Sequence, residues 1–411
     1  MPTAESPTFR RTSTALVVAA FVALAFNLRP AAVSVGPVLD DVSDSLGMSP
    51  TVAGVLTALP VVAFAVFGAL APIGARVLGA HRLTLGSLLA VVVGLGVRPW
   101  VGETGLFMVL SLLALAGMAT ANVLLPSLVK LHFPDRVGPM TALYTTSMAV
   151  GLTVSSVLTV PIAHQFSPEG WRYGLAAWAL TALLAALPWL GLLRHDLHPE
   201  QPHRWGLADV ARTRLGWSMA LLFGLQSFQA YSIFGWFAQL YRDAGFSAET
   251  AGLLLGVITG ISIPLSLVVP AATARLGDPT RLLVALMVCY PVGYLGLVLA
   301  PAGGAVVWAL FVGTGASTFP LVLTLIGLRA RTSAGTAALS GFTQSVGYLL
   351  AVVGPFAVGA LYDATGAWRV PLLLLTALCV PQLVVGIYAS RPHYVEDELE
   401  ARAAARAGGD R

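Results

Sequence analysis

The chain has 411 residues, 57% of them hydrophobic and only 10% charged, with a formal net charge of +4. Soluble domains carry about 25% charged residues, so this composition excludes a water-soluble globular protein. Nor do the basic residues alternate with aromatics as a nucleic-acid face requires, so no nucleic-acid partner is expected.

Windows of about 20 apolar residues, enough to cross a bilayer core, recur along the whole sequence. In chain order they place twelve spans at 14–37, 51–73, 82–99, 105–129, 137–163, 171–193, 215–241, 248–274, 281–300, 304–328, 334–361 and 368–390. The stretches are continuous rather than alternating over about 10 residues, which selects helices over barrel strands. The fold expected is an all-α membrane protein of two six-helix bundles. An N-terminal tail over 1–13 precedes a bundle over 14–193; a linker over 194–214 leads to a second bundle over 215–390 and a tail over 391–411.

Eighteen of the 23 basic residues fall in the tails or the even-numbered loops, while the odd-numbered loops hold only Arg98, Arg172, Arg242 and Arg369. The positive-inside rule therefore expects both tails and the linker in the cytoplasm. Arg10 and Arg11 before an apolar run, with Ala23-Leu24-Ala25 beyond, also fit a cleaved signal peptide. Cleavage would leave eleven spans and spoil the charge pattern, so the first span is read as retained. The acidic cluster from Glu396 to Glu400 reads as a solvated or frayed helix without function.

One basic residue remains, Arg29 in Phe26-Asn27-Leu28-Arg29-Pro30. A charge at the centre of a membrane helix costs about 2.5–3.5 kcal/mol on insertion scales. The next carboxylates, Asp40 and Asp41, stand roughly 16–18 Å further along a straight helix, and no Asp or Glu occupies the middle of any span. The guanidinium is a planar fork of five donors that stays charged. It suits the paired oxygens of an anion or a nitro group, and cargo is expected to supply the missing partner. Pro30 removes a backbone donor and kinks the helix, and carriers bind cargo at broken helices near mid-depth. The competing reading has helix-end carbonyls or Asn, Gln and Tyr side chains hold Arg29, which then merely fixes the bend.

Further binding candidates are Asn27 beside it, Asn122 in span four, Tyr144 in span five and Gln344 in span eleven. Span seven adds Gln226 and Gln229, which share a helix face, with Phe228 and Tyr231 to stack on a planar cargo. Each has a packing or interface alternative. Lys130 and His132 read as loop residues. Cys289 and Cys379 lie inside spans as small apolar side chains, so no disulfide, metal site or cofactor is expected. His164 is the one histidine inside a proposed span, and no proton relay is visible; uniport, exchange, or a proton carried with an acidic cargo is expected.

The halves repeat. Ser49-Pro50-Thr51-Val52-Ala53-Gly54 opens span two as Ser247-Ala248-Glu249-Thr250-Ala251-Gly252 opens span eight. Arg76 and Arg82 around Gly79 answer Arg275 and Arg281 around Gly277. Leu143 and Gly151 match Leu339 and Gly347, and Trp171-Arg172 answers Trp368-Arg369. Two parallel halves suit a carrier that rocks about a central site rather than a pore. Gly252, Gly256 and Gly260 make one small face, read chiefly as static helix packing.

Three stretches carry a more specific likeness: Asn27-Leu28-Arg29-Pro30 with Ser34-Val35-Gly36-Pro37, Asn122-Val123-Leu124-Leu125-Pro126 leading to Lys130, and Phe133-Pro134 through Thr141-Ala142-Leu143-Tyr144. With them the sequence resembles the major facilitator superfamily over 14–390, and within it the branch of cyanate and 2-nitroimidazole transporters. The resemblance implies a small-molecule transporter, not an enzyme, working by alternating access as a lipid-embedded monomer in a bacterial inner membrane. It also implies a gating role for Arg76, Arg82, Arg275 and Arg281. The family's Asp-Arg-x-Gly loop is degraded to Ala75-Arg76-Val77-Leu78-Gly79 and Ala274-Arg275-Leu276-Gly277. That acid helps lock the cytoplasmic gate in the family pattern, so the lock here is expected to be weaker or built otherwise. A multidrug exporter of the same architecture, with Arg29 structural and the span-seven aromatics lining a greasy pocket, is the alternative. A membrane enzyme finds no motif, and a sensor no signalling domain.

Overall fold

The computed structural model describes residues 14–166, 169–193 and 205–409. The N-terminal tail with Arg10 and Arg11, and the linker stretch with Arg194 and Arg204, lie outside the described residues. Among the described residues, eleven helices are long and apolar enough to cross a membrane. The twelfth crossing is span seven, Arg214–Asp243. Its 30 residues reach about 45 Å at 1.5 Å each, but Gln226, Gln229 and several serines lower its hydropathy.

The remaining spans run as predicted. Span one is Thr14–Val38, span two Pro50–Leu78, span three Ala80–Val97, span four Thr104–His132, span five Val137–His164 and span six Gly170–Leu192. In the second half span eight is Ala248–Gly260 followed by Ser262–Leu276, and span nine is Thr280–Leu299. Span ten is Ala305–Ala316 with Thr318–Leu328, span eleven Ser333–Thr365 and span twelve Arg369–Ser390. Lys130 and His132 lie within the last turn of span four rather than in a loop.

The internal repeat is visible in local geometry. Ser49 Oγ accepts from Val52 N at 3.3 Å and Ser247 Oγ from Thr250 N at 3.2 Å, so both spans open on the same side-chain cap. Both end on a glycine with positive φ, Gly79 at 90° and Gly277 at 65°, a conformation other residues avoid. Gly151 of span five meets the Phe26 backbone of span one, while Gly347 of span eleven meets Phe223 and Gly224 of span seven. The same crossing is thus built twice.

Among the described residues the two halves meet from mid-span toward the end that carries the linker. Gly138 of span five faces Ala274 and Pro270 of span eight, and Gly341 of span eleven faces Pro72 of span two. At the opposite end Ala248–Gly260 packs on spans seven and ten of its own half and makes no substantial contact with the first half. Nothing lies within 4 Å of where a Cβ would stand on Gly252, Gly256 or Gly260. The static packing expected for that small face is therefore not present in this state.

The C-terminal helix Val395–Gly409 is not a free solvated tail. Val395 and Leu399 are buried, and its acidic residues find helix ends. Glu396 accepts from the backbone N–H groups of Arg331 (3.0 Å) and Thr332 (3.1 Å) and from Thr332 Oγ1 (3.0 Å), just before span eleven. Glu398 accepts from Arg214 N (2.7 Å) and Leu215 N (3.2 Å) at the start of span seven, and from the Tyr388 hydroxyl (3.0 Å). The first N–H groups of a helix lack internal partners and carry partial positive charge, which is what drew these carboxylates out of solvent. Removing such a cap costs about 0.5–2 kcal/mol. Glu396→Ala is therefore expected to lower the thermal unfolding midpoint in detergent by a few degrees, and an unchanged midpoint would show that the strap contributes nothing.

Candidate functional site between the halves

Span one breaks where the sequence places Arg29. The helix Thr14–Phe26 stops, and a second piece, Pro30–Val33, starts with Arg29 as its first cap at φ −125°. Pro30 has no N–H with which to continue the ladder. Neighbours clamp the break. Asn27 Nδ2 donates to Ala23 O (2.9 Å) and Thr181 O (3.2 Å), Thr181 Oγ1 donates to Asn27 Oδ1 (2.7 Å), and Ser147 Oγ donates to Val22 O (2.7 Å). Asn27 is thus fully engaged with span six inside the first half.

Arg29 is half-buried, and among the described residues no ion pair involves it. Its guanidinium lies beside the Tyr348 hydroxyl of span eleven and within electrostatic reach of Tyr231 of span seven. Both tyrosines belong to the second half. Tyr348 stacks on Phe64 of span two at 4.2 Å, with Phe223 edge-on at 5.0 Å and Tyr231 at 6.5 Å. The cation therefore sits at the seam of the molecule, with aromatic groups of both halves around it and no carboxylate of its own.

Just toward the linker from this group, the seam is closed by neutral hydrogen bonds. Asn122 Nδ2 of span four donates to Gln344 Oε1 of span eleven at 2.6 Å, and Gln344 Nε2 donates to Ser340 Oγ at 2.8 Å. Ser340 Oγ in turn donates to Val123 O at 2.7 Å, and Thr145 Oγ1 of span five donates to Ser266 O of span eight at 3.2 Å. Asn122, Gln344 and Ser340 are all buried. Two predicted binding residues from opposite halves thus satisfy each other.

The other candidates scatter. Gln226 and Gln229 are buried in the second half. Gln226 donates to the Tyr290 hydroxyl (3.0 Å) and Ala316 O (2.9 Å) and accepts from Gln382 Nε2 (2.7 Å). Gln229 donates to Gln382 Oε1 (3.1 Å) and accepts from the Tyr294 hydroxyl (2.7 Å). At 100° per residue the face shared by these two points away from Tyr231, so span seven offers the seam its tyrosine and turns its amides inward. Phe228 packs on Gly354 of span eleven. Tyr144 is 2% exposed, and its hydroxyl has no partner among the described residues. Arg76, Arg82, Arg275 and Arg281 are exposed at the linker end; the acid absent from the first loop is absent there too, and Asp278 of the second loop is held by Thr280 N (2.9 Å) and Thr280 Oγ1 (2.5 Å) instead.

Sequence reading missed Tyr348 and Phe64. Tyr348 stands one helical turn beyond Gln344 and Phe64 one turn before Gly68, so the periodicity that selected span eleven already contained the tyrosine. It also missed a part-buried histidine pair at the linker end of the first half, His81 Nε2 against His132 Nε2 at 2.7 Å.

With this geometry in hand, comparison with known proteins gives a consistent answer. The chain is 37% identical over 384 residues to an uncharacterized transporter of Bacillus subtilis (strain 168), covering 92% of this chain and 94% of that one. It is 32% identical to the 2-nitroimidazole transporter of Escherichia coli (strain K12), covering 92% and 95%, and 30% identical to the cyanate transport protein of the same organism, covering 89% and 94%. Among solved structures, the proton:xylose symporter bound to 6-bromo-6-deoxy-D-glucose superposes with a TM-score of 0.75 at 13% identity, covering 94% and 98%; that likeness shows the fold alone. The Major Facilitator Superfamily profile matches residues 15–352, and this chain, a multi-pass membrane protein of two six-helix bundles, belongs to that family of transporters.

Proposed function

We propose that the protein is an alternating-access carrier of a small anion or planar polar compound, cyanate-like or nitro-aromatic, in a bacterial inner membrane with both termini cytoplasmic. The observation that carries this reading is Arg29: a cation in the break of span one, half-exposed at the seam, without a carboxylate partner. Two of the relatives reported above transport a nitro-aromatic and an anion, the two cargo chemistries a guanidinium fork can grip with paired hydrogen bonds.

Binding and movement are linked by where the groups come from. Arg29 belongs to the first half, whereas Tyr348 and Tyr231 belong to the second. An anion seated on the guanidinium therefore touches both halves. It supplies the missing charge and favours the arrangement in which both halves close on it, which is the differential interaction a rocking transition requires. In this state the linker side is shut by the Asn122–Gln344 bridge and by small-residue contacts, while at the other end Ala248–Gly260 makes no substantial contact with the first half. These neutral bonds take the place of the acidic lock that the degraded loops lack. Hydrogen bonds of this kind are each worth about 0.5–1.5 kcal/mol net, weak enough to be broken once per cycle. With no Asp or Glu in the middle of any span, the coupling proposed is uniport, exchange, or a proton carried with an acidic cargo.

Uptake of radiolabelled cyanate and 2-nitroimidazole into proteoliposomes tests the reading. Charge-assisted hydrogen bonds contribute about 1.5–3 kcal/mol, so Arg29→Lys and Arg29→Gln are expected to insert normally and lose more than about tenfold in transport; normal uptake and binding by both would refute a cargo-binding arginine. Tyr348→Phe keeps the stacked ring and loses one hydroxyl, and about 3- to 10-fold weaker cargo binding is expected from one neutral hydrogen bond. For the latch, Ser345→Cys in a cysteine-free background should resist a polar maleimide. It should react several-fold faster once Asn122→Ala unties Gln344, and equal rates would mean the bridge holds nothing shut.

A further inference from the structure

Arg98 was counted on sequence as an outer-loop charge, but the structure buries it at 1% exposure at the end of span three. Its hydrogen bonds are long ones to hydroxyls: Nη1 donates to Ser111 Oγ of span four at 3.3 Å and Nη2 to Ser34 Oγ of span one at 3.4 Å. Nε has no partner among the described residues. The Phe107 ring lies 5.8 Å from the guanidinium carbon. Among the described residues no carboxylate pairs with it; Glu169, on the same end of the bundle, is taken by Arg172, which also donates to Pro99 O.

The chain's other buried arginine shows the contrast. Arg329, 3% exposed, is held by backbone carbonyls: Nε donates to Ala389 O at 2.9 Å, and Nη2 donates to Gly277 O at 3.3 Å and to Ser390 O. Carbonyl oxygens are what fix this guanidinium. Arg98 receives none of them. The negative end of the span-three helix dipole offsets only part of a full buried charge, and two hydroxyls at the edge of hydrogen-bond range replace a hydration shell poorly. A fork in this condition is completed by an anion, which the orphan Nε–H and an adjacent Nη can hold side-on.

Its position sets it one level outside Arg29. Ser34 lies five residues beyond Arg29 on span one, roughly 7.5 Å further from the linker at 1.5 Å per residue. The stretch between them is irregular, Pro30–Val33 followed by a bend and the short turn Gly36–Val38. With the guanidinium enclosed, a partner enters only as this stretch opens, which suits a small anion and not a bulky lipid headgroup.

We propose that Arg98, Ser34 and Ser111 form a second anion subsite, one level outside Arg29, which receives the small anion before Arg29 does. This rests on the carrier reading above for the identity of its ligand class, but it is tested separately. Thermal unfolding of the purified full-length protein is followed in detergent while sodium cyanate or sodium nitrate replaces sodium gluconate at constant ionic strength. A ligand that binds the native state raises the midpoint. The Arg29→Gln variant is expected to keep an anion-dependent rise, and Arg29→Gln with Arg98→Gln to lose it. If the double variant does not fold, Ser34→Ala with Ser111→Ala in the Arg29→Gln background is expected to weaken half-saturation by at least about fivefold, the loss of two hydrogen bonds. A response abolished by Arg29→Gln alone overturns the outer subsite and leaves the carrier reading standing. So does a response that survives loss of Arg98 in the Arg29→Gln background, or an unchanged half-saturation in the serine variant. A response that Arg29→Gln leaves whole and Arg98→Gln removes supports the outer subsite and counts against Arg29 as the cargo site. No response in the parent protein overturns the subsite, while the carrier reading is still judged by flux.

Discussion

A guanidinium that cannot lose its charge, placed at mid-depth in a helix that cannot continue through a proline, is the constraint around which this molecule is arranged. Desolvating an unpaired ion is costly, and the surrounding structure responds without neutralising it. Spans five and six clamp the broken backbone through Ser147, Asn27 and Thr181, and the second half brings tyrosines rather than carboxylates. The site is thereby held in place but left electrically incomplete. A permanent counter-ion would make it more stable and remove the charge on which the proposed anion site rests.

The seam obeys a related logic. Its closure uses amides, hydroxyls and small residues instead of ion pairs, so the halves adhere through many weak contacts. Glycines at 138 and 341 let backbones approach, and Asn122 with Gln344 fixes the register between them. The strong, charge-assisted contacts are kept for places that stay together: Glu396 and Glu398 on the ends of spans eleven and seven, and Arg329 on the end of span twelve. All of these lie within the second half, so that bundle is stiffened at the linker end while the joint between bundles remains separable.

In the core of the second half one group of polar side chains is consumed by its own members. The cluster of Gln226, Gln229, Gln382, Tyr290 and Tyr294 leaves its side-chain amides and phenols bonded. That is the expected state for buried polar groups, whose unmade bonds are expensive. Against this background the two incompletely bonded arginines of the first half stand apart, because neither is treated as a structural charge.

Composition and hydropathy period alone determined that the chain is a helical membrane protein, where its spans lie, and that the first half is repeated in the second. Those properties depend on neighbours in sequence: an apolar run of the right length must become a helix in lipid, and a polar residue before it must cap it. The isolation of Arg29 was legible for the same reason, since the absence of acids in the spans is a fact of the list of residues. What only the tertiary structure decided is which face of each helix meets which. That is why Gln226 and Gln229 turned into the second half and Tyr231 toward the seam. It is why Asn122 found Gln344 rather than cargo, why Tyr348 went unnoticed, and why Arg98, counted as a loop charge, is enclosed. A one-dimensional pattern gives the angle of a side chain about its own helix. The rotation of that helix against eleven others is set by packing along the whole bundle, and no local stretch of sequence contains it.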